Sequence, residues 1–277
     1  HMDCYEDLND LHNSFTQFAN SVPFYGRVVA CSDSPEIQKI LEKIKRPTTT
    51  YGFSKESTFS ANKISYSEDK TTYSLYHTGE KYGEIEINAP GKHNILNSLA
   101  AIAVGFELGL DMQTIINGIM SYDGVRRRFE IKGTAQGVMV VDDYAHHPTE
   151  VKATLQAARD GWNRRIVAVF QPHLFSRTKY FYKEFAAAFM NCDVLLVTDI
   201  YPAREKPING VTGELVFNAA KSAGHENVFY INDLENLNNE LNNVTQKNDM
   251  VITIGAGTIW RYGHKYFEYL LSKEKAA

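Results

Sequence analysis

Short apolar runs rich in Val and Ile punctuate the chain from residue 137 onward: GVMVV (137–141), RIVAVF (165–170), DVLLVTD (193–199), NVFYI (227–231) and MVITIG (250–255). Between them lie stretches of helical pattern at 148–160, 177–191, 212–223, 233–244 and 258–273. Strands alternating with helices predict an α/β fold with a mostly parallel, doubly wound sheet. Pro148 stands where the first helical residue belongs and Gly161 just past the last, as capping chemistry prefers.

The earlier part of the chain has another texture. PEIQKILEKI (35–44) predicts a short amphipathic helix. From TTYGFS (49–54) to ISYSEDKTTYSLYHTGEKYGEIEINAPG (64–91), Tyr, Thr and Ile alternate with polar residues between turn signals. That pattern predicts antiparallel strands and hairpins. HNILNSLAAIAVGFELGL (93–110) predicts a strongly apolar helix and DMQTIINGIMSY (111–122) a second. The change of texture places a domain boundary near 125–135, and 277 residues exceed what one core usually holds.

Composition narrows the class. A 43% hydrophobic, 22% charged chain is an ordinary globular protein, and a net charge of -4 gives no electrostatic footprint for nucleic acid. No apolar stretch approaches the 18 or so residues of a membrane span, and the start has no basic and apolar secretion signal. Cys4, Cys31 and Cys192 are far apart and odd in number, which suits a reducing cytoplasm. His1-Met2 reads either as native sequence or as a cloning scar.

Candidate chemistry gathers at the strand ends, where open α/β sheets bind ligands. Asp142, Asp143, Tyr144, His146 and His147 follow the first strand of the alternating region. Aspartates there can simply cap a turn. Two histidines before a proline are rarer, and Pro148 biases His147 to an extended backbone, so the rings point apart and serve separate jobs. FQPHLFSRT (170–178) offers His173, Ser176 and Arg177 at the next strand end. Arg177 near a helix start opposes the helix dipole, which suggests an anionic ligand. DIYPAREKPINGVTGE (199–214) supplies Tyr201, Arg204, Glu205 and Lys206 on a long loop, which reads as functional or merely solvated. VRRRFE (125–130) reads as a linker or a phosphate clamp. Asn94 and Asn97 share one face near a helix start, where Asn commonly caps. IGAGTIW (254–260) lacks the third glycine of a dinucleotide fingerprint, so tight packing explains its glycines. No G-x-x-x-x-G-K-[ST] occurs.

In chain order, SVPFYGR, TTYGFS, HNILN, RRF, DDYAHHPTE, QPH-x-x-S-R-T, DIYPARE-x-PI-x-GV and GAG resemble the Mur ligases, the ATP-dependent amino-acid ligases of peptidoglycan assembly. The resemblance covers essentially the whole chain. It implies that residues 1–126 are the later part of a central ATP-binding domain and 127–277 a Rossmann-like C-terminal domain on the amino-acid side. The UDP-substrate domain and the P-loop part of the central domain would lie outside this sequence. The implied reactants are ATP with Mg²⁺, UDP-N-acetylmuramate and L-alanine, joined through an acyl phosphate in the cytoplasm. A recycled murein peptide is the alternative acceptor chemistry, but members that use it typically carry Phe at the position of Tyr144.

The same resemblance assigns roles. Asn94 and Asn97 would face the nucleotide, Arg128 the ATP phosphates, and Asp143 the ribose near the domain junction. Tyr144, His146, His173 and Arg177 would face the amino acid, with Arg177 a candidate for its carboxylate, and Arg128, Asp143 and His146 are counted as catalytic. Arg204 and Glu205 are looser candidates, and His1, if native, matches a family metal-binding histidine. Leu174 stands where the family often has Arg, so that contact is not carried over. Two further classes fit the residues: a nucleotide-binding module without catalysis, and a metal-dependent hydrolase using Asp142, Asp143, His146, His147 and His173.

Overall fold

The computed structural model describes residues 5–276, which divide after Asp123 into two compact units. The first unit opens with α1 (Leu8–Asn20), whose N-cap Asp7 accepts from the Asp10 N–H. β1 (Val28–Cys31), α2 (Pro35–Leu41) and β2 (Thr48–Gly52) then form a βαβ step, with Ser34 as N-cap and Pro35 at the first helical position. β3 (Phe59–Ser67), β4 (Lys70–His77) and β5 (Glu80–Ile87) complete a five-stranded sheet in chain order.

The expected hairpins are β3–β4 and β4–β5, but TTYGFS departs from that expectation. β2 runs parallel to both β1 and β3. Alternating Thr and Tyr suit either pairing; the α2 crossover sets β2 parallel to β1, and β2 meets β3 over only two residue pairs. α3 (Lys92–Glu107) packs over β1, β2 and β3, burying Ile95, Leu99 and Ile102 against Phe59, Tyr73 and Leu75. α4 (Met112–Met120), capped by Asp111, packs on α3 and β5. β1 is an edge strand in parallel pairing, and Phe18, Phe24 and Tyr25 are 75%, 85% and 81% exposed. Parallel strands are normally covered on both sides, and exposed aromatics in such number mark a contact surface.

The second unit is the expected doubly wound sheet. Its strands are β6 (Glu130–Ala135), β7 (Val138–Asp143), β8 (Arg165–Phe170), β9 (Val194–Thr198), β10 (Val228–Ile231) and β11 (Asp249–Ile254). Their order is β10-β9-β8-β11-β7-β6, all parallel except β6, which forms a hairpin with β7. β6 was not legible as a strand, because EIKGTA carries only two strongly apolar side chains. One face of the sheet packs α5 (Pro148–Gly161), α6 (Phe175–Phe189) and α7 (Glu214–Ser222) through Leu155, Phe185, Phe189 and Val216. The other packs α8 (Leu237–Val244) and α9 (Ile259–Ala276) through Leu237, Leu241, Ile259 and Tyr266. The period-two alternation of β8 serves both cores: Ile166, Ala168 and Phe170 face one, Val167 and Val169 the other.

The helices after β8 and β11 therefore leave to opposite faces, opening a crevice at the carboxyl ends of these neighbours. One glycine fixes its far wall. A Cβ on Gly213, at the start of α7, would overlap the Thr198 carbonyl at the end of β9. Gly213→Ala should cost about 1–3 kcal/mol of stability, measured by urea unfolding; an unchanged midpoint would contradict this packing.

Candidate functional site

Two aspartates end β7 and both are buried, at 1% and 5% exposure. A carboxylate in that environment needs partners. Asp142 Oδ2 accepts from Arg127 Nε at 3.1 Å and Oδ1 from the Thr253 hydroxyl at 2.8 Å. Arg127 also donates Nη2 to the Gly255 carbonyl at 2.6 Å and lies over the Tyr144 ring at 4.8 Å. Asp143 Oδ2 accepts from Phe129 N and Oδ1 from Ala145 N, at 2.8 and 2.7 Å. Burial pushes Asp143 up to about 6 despite those two donors, and burial likewise raises Asp142. Residues 127–129 are thereby strapped to the strand end, with Tyr144 N donating back to Arg127 O. Of the expected phosphate contacts, Arg128 stays half exposed, over Tyr144 at 5.5 Å and 3.7 Å from Glu150.

Glu150 organises the next turn. Its Oε2 accepts from the backbone N–H of His146 at 3.0 Å and of His147 at 3.2 Å, and lies 3.4 Å from His146 Nδ1. Burial works to raise its pKa, but the His146 N–H and the charges of His146 and Arg128 outweigh it, so the carboxyl sits low. His146 is oriented further by Nδ1···O contact with Tyr144 at 2.9 Å. His147 stands at the N-cap of α5, its ring against Phe181 at 5.1 Å. The two rings do point apart.

At the end of β8, His173 forms a parallel bridge with Tyr201, and their rings stack at 5.9 Å. The His146 ring meets the His173 ring edge-on at 5.8 Å. Burial, helped by the Arg177 and His146 charges, lowers His173 to about 4, so its ring is neutral at pH 7. Arg177, third residue of α6, is 9% exposed. Among the described residues, neither Arg177 Nη1 nor His173 Nδ1 has a hydrogen-bond partner, although both atoms are buried. Glu205 accepts from Ser176 N at 3.0 Å and Ser176 Oγ at 2.5 Å, latching the 199–213 loop to the start of α6. Arg204 is exposed beside it.

The two amides that follow the Gly-Ala-Gly turn after β11 are not free. Gln171 Oε1 takes Thr258 N at 2.8 Å and Ile259 N at 3.1 Å, capping α9 from β8. Nor do the five groups of the hydrolase reading converge. Asp142 and Asp143 are spent on Arg127 and on backbone, and no group of three His, Cys, Asp or Glu among the described residues could hold a metal ion. His1 lies outside the described residues. In the first unit, Asn94 donates to the Pro90 carbonyl at 2.8 Å and accepts from Asn97 at 3.2 Å, leaving Asn97 on the exposed face of α3.

Residues 1–105 match the Mur ligase middle domain and 127–257 the glutamate ligase domain of Mur ligases. The chain belongs to the Mur ligase family. It is 43% identical over 274 residues to the UDP-N-acetylmuramate–L-alanine ligase of Syntrophotalea carbinolica, covering 99% of this chain and 60% of that protein. The like-named Chlorobaculum tepidum protein is 47% identical over 263 residues, 94% of this chain and 55% of its own length. The chain thus spans somewhat over half the length of these relatives. Among solved structures, the UDP-N-acetylmuramate–alanine ligase of Thermotoga maritima superposes with a TM-score of 0.78 at 26% identity, over 99% of this chain and 57% of that one. A Mur ligase from the same organism in complex with ADP gives 0.73 at 17%, covering 96% and 58%, a likeness of fold.

Three residues of this Mur ligase strand-end cluster were not singled out from sequence. Arg127 was indistinguishable from its two neighbours, and Gln171 had no local signal. Glu150 did have one, an acidic residue three after a helix start. The strap makes adjacent arginines unequal. Arg127→Ala leaves Asp142 buried without its cation and should cost about 3–5 kcal/mol, whereas Arg128→Ala should cost under about 1 kcal/mol; equal costs in urea unfolding would refute the strap. Asp143 carries its own pH signature. Its folded pKa exceeds the unfolded one, so its contribution is full below about pH 4 and is lost as pH rises through about 6. Relative to Asp143→Asn, the native chain should lose roughly 3 kcal/mol across that window. A pH-independent difference between the two would contradict the buried, raised carboxyl.

Proposed function

We propose that this chain is the later middle-domain part and the C-terminal domain (1–126 and 127–277) of a cytoplasmic enzyme that joins L-alanine to UDP-N-acetylmuramate at the expense of ATP. Relatives of that name at 43–47% identity across nearly the whole chain support the reading. So does the strand-end site. The observation that carries the amino-acid assignment is Arg177, a buried guanidinium whose Nη1 is left without a partner among the described residues. An unpaired buried donor is costly, and a carboxylate ligand supplies what it lacks. His173, neutral and likewise unpaired at Nδ1, offers a second polar contact without adding charge.

In this reaction the carboxylate of the muramoyl group is activated as an acyl phosphate, attacked by the alanine amine, and phosphate departs. No protein nucleophile is required; the protein positions reactants and neutralises charge. Arg177 orients the amino acid by its carboxylate, and His146, held by Glu150 and Tyr144 at the end of β7, reaches the same ring row through His173. Arg128, half exposed and only loosely paired, is free to meet phosphate. Asp143 acts by holding residues 128 and 129 in place, and Asn94 and Asn97 supply amides on the nucleotide side of the first unit. Glu205 fixes the loop that carries Tyr201, while exposed Arg204 remains a candidate for the second substrate. Mg²⁺ neutralises the nucleotide phosphates when bound; the described residues build no three-ligand cage for it.

The exposed rings of Phe18, Phe24 and Tyr25 support a first unit that packs against further polypeptide in the longer enzyme. With no P-loop motif in its sequence, the 277-residue chain should release no ADP in an alanine-dependent manner. A polypeptide extended to the relatives' length should do so, and Arg177→Met in it should raise the KM for alanine at least tenfold. Alanine-dependent ADP release by the 277-residue chain, or an unchanged KM, would contradict the assignment.

A further inference from the structure

Four rings form a continuous row across three strand ends. Tyr144 meets His146 at 5.1 Å, His146 meets His173 at 5.8 Å, and His173 stacks on Tyr201 at 5.9 Å with only 15° between the planes. The first three belong to the tight turns after β7 and β8. The last comes from the long loop after β9, and its place is fixed with unusual care. Tyr201 N donates to Pro172 O at 2.8 Å, and Leu174 N donates to Tyr201 O at 3.1 Å. Leu174 takes a φ of +70° to do so, a conformation that a leucine adopts only under constraint. On its other side, a Cβ on Gly257 would stand 2.6 Å from Tyr201 Cγ and also overlap Gln171 Oε1. Only glycine lets the α9 turn close on that ring. The Glu205–Ser176 latch holds the loop four residues later.

Strain and close packing spent on one loop side chain beside a site point to a role there. The other rings have different ties. Tyr144 lies under Arg127 and Arg128, and His146 is bound to Glu150 and the Tyr144 carbonyl. Tyr201 has apolar ring area beside His173, whose neighbour in charge is Arg177. We propose that Tyr201 is a specificity-determining residue of the amino-acid site: its ring ends the aromatic row and limits the amino acid held by Arg177 to a small side chain. This rests on the amino-acid reading of Arg177. A rigid wall that excludes two added methyl groups discriminates by the cost of overlap, and each extra carbon in such a pocket changes selectivity by about 10-fold or more.

The test uses the 277-residue chain and ligand-observed NMR titration with L-alanine and L-valine as probes. The native chain should bind L-alanine at least tenfold more tightly than L-valine, and Arg177→Met should weaken L-alanine at least tenfold. Tyr201→Ala should bring the two amino acids within about threefold of each other, while Tyr201→Phe, which keeps the ring, should retain the native preference and the native thermal midpoint. If Tyr201→Ala keeps the native preference while Arg177→Met still loses L-alanine, the role of Tyr201 is overturned and the amino-acid site stands. If the native chain does not bind L-alanine, or Arg177→Met leaves its binding unchanged, the amino-acid reading fails and the specificity role fails with it.

Discussion

Two carboxylates at the end of β7 lie in the interior of the second unit, and the geometry of the site follows from how their charge is met. Asp142 is paired by a guanidinium that also ties down the Gly255 carbonyl, and Asp143 by two backbone amides. A buried carboxylate without such partners would cost several kcal/mol, so residues 127–129 cannot leave the strand end cheaply. That constraint orients everything after it. Tyr144 is held under two arginines, His146 takes its place from Tyr144 and Glu150, and His147 is left to start α5. Arg128, the last arginine of three, is turned outward because its neighbour Arg127 is turned in.

The second strand end is built on the opposite principle. Around Asp142 and Asp143 the polar groups are matched; at Arg177 and His173 two buried nitrogens find no partner among the described residues. Matched groups hold a fold together, whereas an unmatched buried donor costs stability and is kept where a ligand repays it. In the proposed function a carboxylate-bearing amino acid would supply the missing acceptor, and the ring row beside it an apolar surface for the rest of the molecule.

Much of this was legible in the chain. The alternation of Val- and Ile-rich runs with helical stretches predicted the second sheet, and with it the strand ends where the candidate residues lie, because both depend on local pattern. What was hidden depends on partners distant in sequence. Thr48–Gly52 looks like a hairpin strand until the α2 crossover sets it parallel to β1, and β1 is too short and β6 too polar to stand out. No local signal separates Arg127 from Arg126 and Arg128, since the distinction is made by Asp142 and Gly255, 15 and 128 residues away. Gln171 capping α9 from another strand is hidden for the same reason. Glu150 is the exception: three residues after the N-cap His147, an acidic side chain is readable from local sequence as a capping residue.

The central claim is that Arg177 anchors the carboxylate of a small amino acid, and a crystal of this chain soaked with L-alanine tests it most directly. The account predicts the alanine carboxylate within hydrogen-bond distance of Arg177 Nη1, with its methyl group toward the ring row. Alanine bound elsewhere, with Arg177 Nη1 still unpaired, would contradict it.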